Sequence, residues 1–198
     1  MKIVHLDTSF NGREASSSLL ASQLVNRLTE GAEAQVHYRD LSQEGLGHLT
    51  EEIFMGFQLP AEQRNEVQLA ATAKSDEYIS ELQDADALVV AVPMYNFSTP
   101  SQFKSWVDHV ARAGVSFSYT AEGPKGLLNI KKAYVIATRG GQYAGTGYDF
   151  QAPWLEQVLK FIGVQEVEFI FAEAQATEQA AEAFQQAEQQ IAALASQN

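Results

Sequence analysis

Three short stretches carry residue types that suit chemistry. The first is SFNGREASSS, positions 9–18, directly after the apolar run KIVHL. Its serines fall where a helix should begin. The free N–H groups and dipole of a helix start favour an anion, and serine hydroxyls add donors without adding charge. The plain alternative is a single serine cap supplied by Ser16 or Ser17. The second stretch is PMYNFSTPSQFK, positions 93–104. Met94, Tyr95 and Phe97 lie between two prolines and serve no core period. Aromatic and thioether surface of this kind suits a flat hydrophobic ligand, with backbone N–H groups meeting its polar edges. The alternative is that Met94 and Phe97 pack beneath the sheet end. The third stretch is ATRGGQYAGTGYDF, positions 137–150. Gly140 and Gly141 allow backbone to approach a ligand closely. Arg139 suits a phosphate or carbonyl oxygen, or else a surface salt bridge. Tyr143 and Tyr148 line a pocket or only flank a turn.

The elements that must position these loops alternate in type. Apolar, β-rich runs occur at Lys2–Leu6, Ala34–Tyr38, Ala85–Pro93, Lys132–Thr138 and Glu166–Ala172. The third is apolar almost throughout, as a strand covered on both faces must be. Helical periodicity is expected over Ser18–Thr29, Ala61–Gln83, Ser101–Arg112, Ala152–Ile162 and Thr177–Ser196. Repeated strand–helix units imply an α/β fold, a parallel sheet with helices on both faces. With no linker, repeat or composition break, residues 1–198 form one domain. Ligands in such sheets bind beyond the carboxyl ends of strands, which is where all three stretches fall. Two connections are longer than usual: Leu41–Pro60, and Gly114–Ile130, whose alternating Val115, Phe117 and Tyr119 suggest a β-hairpin arm near 115–128.

Bulk composition narrows the options. The 198 residues have a formal net charge of −12, which argues against nucleic-acid and anionic-membrane partners. A bound phosphate must then be held by dipoles and neutral donors. There is no cysteine, so disulfides, thiolate catalysis and Cys-ligated zinc are excluded. His5, His37, His48 and His109 have no metal-ligand spacing, and no metal is expected. The fingerprints of dinucleotide-binding and triphosphate-binding loops are absent. The start MKIVHLDTS has a short apolar run and no cleavage site, so a cytoplasmic protein is expected.

Taken together, SFNGREASSS, then AVPMYNFSTPSQFKSWVDHVARAGVSFSYTAEGPKGL, ATRGGQY and LKFIGV resemble the FMN-dependent NADH:azoreductase and quinone oxidoreductase family. The resemblance runs through nearly the whole chain and is densest from Asp86 to Gly141. It implies a flavodoxin-like three-layer sandwich, with a five-stranded sheet in the order 2-1-3-4-5. It further implies that Ser9, Ala15, Ser16 and Ser17 surround the FMN phosphate. Met94, Tyr95, Asn96 and Phe97 would wrap the isoalloxazine, and Thr138, Arg139, Gly140 and Gly141 would close over its pyrimidine end. Such enzymes are homodimers with the flavin at the two-fold interface. Tyr119 and Phe161 match positions that shape the substrate pocket, and Tyr143 stands where some relatives have His. The implied reaction takes hydride from NADH or NADPH to flavin N5, then reduces a quinone or azo compound, in ping-pong order. No side chain is assigned as a catalytic acid. Two other classes fit parts of the chain: a flavodoxin-type electron carrier, which has little use for the 114–130 arm, and a non-catalytic interaction domain with empty clefts.

Overall fold

A computed structural model describes residues 1–195. In chain order the elements are β1 (Lys2–Asp7), α1 (Ser16–Thr29), β2 (Gln35–Asp40), α2 (Glu51–Phe57), α3 (Glu66–Gln83), β3 (Ala87–Ala91), α4 (Ser101–Val110), β4 (Phe117–Thr120), β5 (Gly123–Gly126), β6 (Ile130–Thr138), α5 (Gln151–Ile162), β7 (Val164–Ala172) and α6 (Ala180–Ala195). Five strands form a parallel sheet in the order β2-β1-β3-β6-β7. The first three strands of the chain thus stand as 2-1-3 and the rest follow outward, the flavodoxin-like order expected from the resemblance.

Alternation along the strands sends side chains to two separate cores. Val4, Leu6, Leu88, Val90 and Val135 pack with Phe103, Trp106, Leu155 and Tyr78 beneath α3, α4 and α5. Ile3, Val89, Tyr134, Ile136 and Ile170 pack on the other face with Leu20 and Leu24 of α1 and Ala187 and Ile191 of α6. Every residue of β3 is buried, because this central strand has a helical layer on each side. Burying one Leu, Ile or Phe side chain contributes about 1.5–3 kcal/mol, so both layers clamp the sheet that carries the loops.

Several boundaries differ from the sequence expectations. The first helix begins at Ser16, two residues early. The expected helix from Ala61 begins at Glu66, where Asn65 and Gln68 form a reciprocal capping box; residues Ala61–Gln63 make only a 3-10 turn. The connection Leu41–Pro60 contains α2, started by Thr50 accepting from the N–H of Ile53. The last helix was expected to reach Ser196, which lies outside the described residues.

The 114–130 connection is a two-stranded antiparallel arm, β4 with β5. Its base is wedged against the end of α5, where Gly163 (φ 114°) caps the helix and Leu128 N donates to Ile162 O. A Cβ at Gly163 would lie 2.1 Å from Leu128 O, so glycine is required there by both φ and space.

Candidate functional site

The crevice beyond the carboxyl ends of β1, β3 and β6 joins all three stretches singled out in the sequence. Its wall is formed by Ser9, Ala15, Ser16 and Ser17, by Met94 and Tyr95, and by Thr138, Arg139 and Gly140. Sequence order reverses between β1 and β3, so the crevice lies at the topological switch point of the sheet.

Serine capping does not account for the first stretch. The residue preceding α1 is Ala15, in extended conformation (ψ 142°), and it offers no side-chain cap. The N–H groups of the first turn therefore lack the usual partner. Ser17 is fully buried, and its Oγ has no hydrogen-bond partner although it lies beside the crevice. An orphaned buried hydroxyl is costly unless something outside the chain bonds it. The turn before the helix is held by Ser9, whose Oγ accepts from Asn11 N at 3.2 Å and meets the hydroxyl of Tyr95 at 3.0 Å. Thr8 Oγ1 donates to Ala91 O at 2.7 Å, fixing this loop to the end of β3.

The second stretch is a two-residue turn. Tyr95 and Ser98 exchange both backbone hydrogen bonds at 3.0 Å, and Asn96 and Phe97 occupy the left-handed region with φ 51° and 64°. For a phenylalanine that conformation is strained, and strain of this sort concentrates at ligand sites. Phe97 does not pack beneath the sheet: its ring is 48% exposed, edge-on to Tyr143 at 5.8 Å and near Tyr148 at 6.5 Å. Phe10 covers Tyr95 on the other side, with centroids 4.8 Å apart.

In the third stretch Arg139 makes a buried ion pair where a surface one was the alternative to a ligand contact. Its side chain is fully buried, paired to both oxygens of Asp149 at 2.9 and 3.0 Å and to Glu173 at 3.2 Å, and lies over the ring of Phe171. The backbone of Thr138–Gly140 remains at the crevice. The loop after β7 supports it: Gln175 N donates to Arg139 O, Ala176 N to Gly140 O and Ala174 N to Gly141 O. A Cβ on Gly141 would meet the Tyr143 ring at 3.0 Å.

Asn11, Pro93 and Gln175 also line the crevice and were not singled out from the sequence. Asn11 sits inside the first stretch, where an Asn-Gly pair reads as a turn. Gln175 follows the strand at the sheet edge, away from the switch point.

Tyr119 and Phe161 are not brought to this crevice within one chain. Gln151, at the start of α5, lies under the 93–98 turn, and Phe161 lies ten residues along that helix, about 15 Å away by helical rise. There Phe161 meets Phe117 at 4.2 Å, and Tyr119 stands on the arm, 76% exposed. Among the described residues no group of three or more His, Asp or Glu is arranged to hold a metal.

Electrostatically the α1 end of the crevice is unusual. No lysine lines the crevice, and the guanidinium of its one arginine is spent on two carboxylates. The α1 dipole, the uncapped N–H groups and the hydroxyls are what the crevice offers an anion.

Residues 1–195 match a family model described as flavodoxin-like fold. An FMN-dependent NADH:quinone oxidoreductase of Dechloromonas aromatica is 44% identical over 197 residues, covering 98% of this chain and 99% of its own. One of the same description from Burkholderia pseudomallei is 43% identical over 195 residues, covering 97% and 98%. Among solved structures, an azoreductase from Bacillus anthracis superposes with a TM-score of 0.89 at 24% identity, covering both chains fully. An FMN-dependent NADH-azoreductase of the same species, crystallised with FMN, superposes at 0.88 with 18% identity, covering 99% of this chain and 98% of the other. At those identities the structural likeness speaks for the fold; the relatives near 44% speak for kinship. The chain belongs to the flavodoxin-like family that includes the FMN-dependent NADH:quinone oxidoreductases.

Proposed function

We propose that the chain is an FMN-dependent oxidoreductase that carries two electrons from NADH to quinones and azo compounds. The observation that carries the reading is the joining of three strand-tip loops at one crevice, with an uncapped helix start at one end and a strained aromatic turn beside it. The residues present fit FMN. Ser9, Ser16, Ser17 and the first N–H groups of α1 would hold the phosphate; Ala15 leaves those N–H groups uncovered. Met94, Tyr95, Asn96 and Phe97 would take the ring, and Thr138, Gly140 and Gly141 its pyrimidine edge through backbone. Bound there, FMN would supply hydride chemistry at its N5, with NADH as the donor and a quinone or azo compound as the acceptor.

The chain's own contribution is orientation and exclusion of water. Phe97 and Tyr143 form an aromatic wall beside the ring turn, suited to flat substrates that must lie within about 3–3.5 Å of the reacting atom. We further propose a homodimer. Tyr119 and Phe161 lie far from the crevice of their own chain, and exposed Phe54, Met55, Tyr148 and Phe150 need cover. A second copy would bring its Tyr119 and Phe161 to the substrate pocket. No helix of the described residues is long and apolar enough to cross a membrane, and with no cysteine to form a disulfide, action in the cytoplasm is the reading we adopt.

Steady-state kinetics test the reaction. Initial rates at varied NADH and quinone should give parallel double-reciprocal lines. Absence of NADH oxidation by the FMN-loaded protein with any quinone would refute the enzyme reading and favour an electron carrier.

A further inference from the structure

We propose that Arg139 and Gln151 are positioning residues for the ring end of the site. This inference rests on the FMN reading above. Gln151 is the first residue of α5 and is fully buried. A buried primary amide is tolerated only where its donors and acceptor are met. Its Nε2 faces three carbonyls, Val92 O at 3.4 Å, Pro93 O at 3.1 Å and Ser98 O at 3.3 Å. Its Oε1 accepts from Arg139 Nε at 3.3 Å. The amide has one workable orientation, since the carbonyls demand the NH2 group and the guanidinium demands the oxygen.

These partners belong to the ring turn itself. Ser98 O also accepts from Tyr95 N, closing the turn that holds Asn96 and Phe97 at positive φ. A strained turn persists only where its surroundings over-determine it. Gln151 grips both legs of this turn, at Pro93 and at Ser98.

Arg139 extends the grip to the opposite wall. The fork that holds Asp149 and Glu173 leads onward, because Glu173 Oε1 accepts from Tyr143 N at 2.7 Å and from Ala144 N at 2.9 Å. Asp149 Oδ1 accepts from Ala152 N and so fixes the start of α5. One buried guanidinium therefore links the backbone of the ring turn, through Gln151, to the backbone of the 140–144 loop, through Glu173. Neither side chain needs to touch the flavin. Their effect is to set the spacing between the two loops that hold its ring.

The experiment compares FMN with riboflavin, which shares the ring but has no phosphate. Affinity is read from quenching of flavin fluorescence, and the absorption band of the bound flavin is recorded. Gln151→Met keeps the volume and removes the hydrogen bonds. It should weaken both flavins by the same factor, about tenfold, and shift the bound absorption band. Arg139→Lys keeps the charge, loses the fork, and should do the same. Ser17→Ala, at the phosphate end, should weaken FMN alone. If Gln151→Met fails to fold, Gln151→Asn shortens the reach by one methylene and must show the same paired loss. Wild-type affinities and an unmoved band in the folded variant overturn the inference, whatever happens to its melting temperature. A wild-type chain that takes up neither flavin overturns the FMN reading itself, and this inference with it.

Discussion

The Oγ of Ser9 and the hydroxyl of Tyr95 lie 3.0 Å apart although 86 residues separate them in the chain. This contact joins the loop after the first strand to the turn after the third. It joins the α1 end of the crevice and the 93–98 turn into one polar surface. The cross-link has a second layer, since Phe10 lies over the Tyr95 ring and Thr8 bonds to the end of β3.

At the phosphate end, Ser17 is the most exacting test. Its buried Oγ has no partner in the chain. Ser17→Ala should cost FMN about tenfold or more in affinity, the usual worth of a neutral donor to a charged acceptor, while the fold is unharmed. Fluorescence titration checks the affinity and urea unfolding the stability. Unchanged FMN affinity in Ser17→Ala would place the phosphate elsewhere.

At the ring end, strain and function oppose each other. Phe97 sits at φ 64°, a conformation costing a non-glycine residue roughly 1–2 kcal/mol. Phe97→Gly should therefore leave stability equal or raise it by up to about 1 kcal/mol. The same change removes the aromatic wall shared with Tyr143, so quinone KM should rise several-fold. Calorimetry and steady-state rates measure the two effects. A fall in stability with KM unchanged would mean that the ring is structural.

Much of this was legible in the chain. Apolar runs mark the five strands of the sheet, and the switch-point rule points to three loops that do meet. What escaped depended on packing. Helix α2 has only seven residues, too few for a periodic signal, and it is held from outside: Arg64 donates to Gly56 O, and Gly56 lies against Thr72 of α3. The fate of Arg139 was hidden because Asp149 and Glu173 lie 10 and 34 residues away and only the fold brings them near. The start of α1 differs because the last residue before the helix is Ala15 and not one of the serines, which capping preferences do not anticipate.

The end of β1 carries its own pH signature. The Tyr38 hydroxyl donates to Asp7 Oδ2 at 2.9 Å. Burial, and then this bond to Asp7, push the Tyr38 phenol up to about 12 from an ordinary 10.0. Because the folded state holds the proton more tightly, the stability it contributes is complete below pH 10 and is lost as pH rises toward 12. Urea unfolding at pH 8 and pH 11 should show a larger alkaline loss for wild type than for Tyr38→Phe. Equal losses would contradict this assignment.

A site shared between two copies makes a distinct claim. A Tyr119→Ala chain and a Ser17→Asp chain should each be poorly active alone, the first lacking a substrate wall and the second repelling the phosphate. Mixed after co-expression, heterodimers have one complete site, and about a quarter of wild-type activity should return by subunit statistics. No recovery on mixing would mean that Tyr119 serves its own chain or none.

The most direct measurement is a titration of flavin-free protein with FMN, followed by anaerobic NADH. Three loops converging on one flavin require saturation at one FMN per chain, a bound flavin spectrum, bleaching by NADH and return of the colour on adding a quinone. Failure to take up FMN, or a bound flavin that NADH leaves oxidised, would contradict the account.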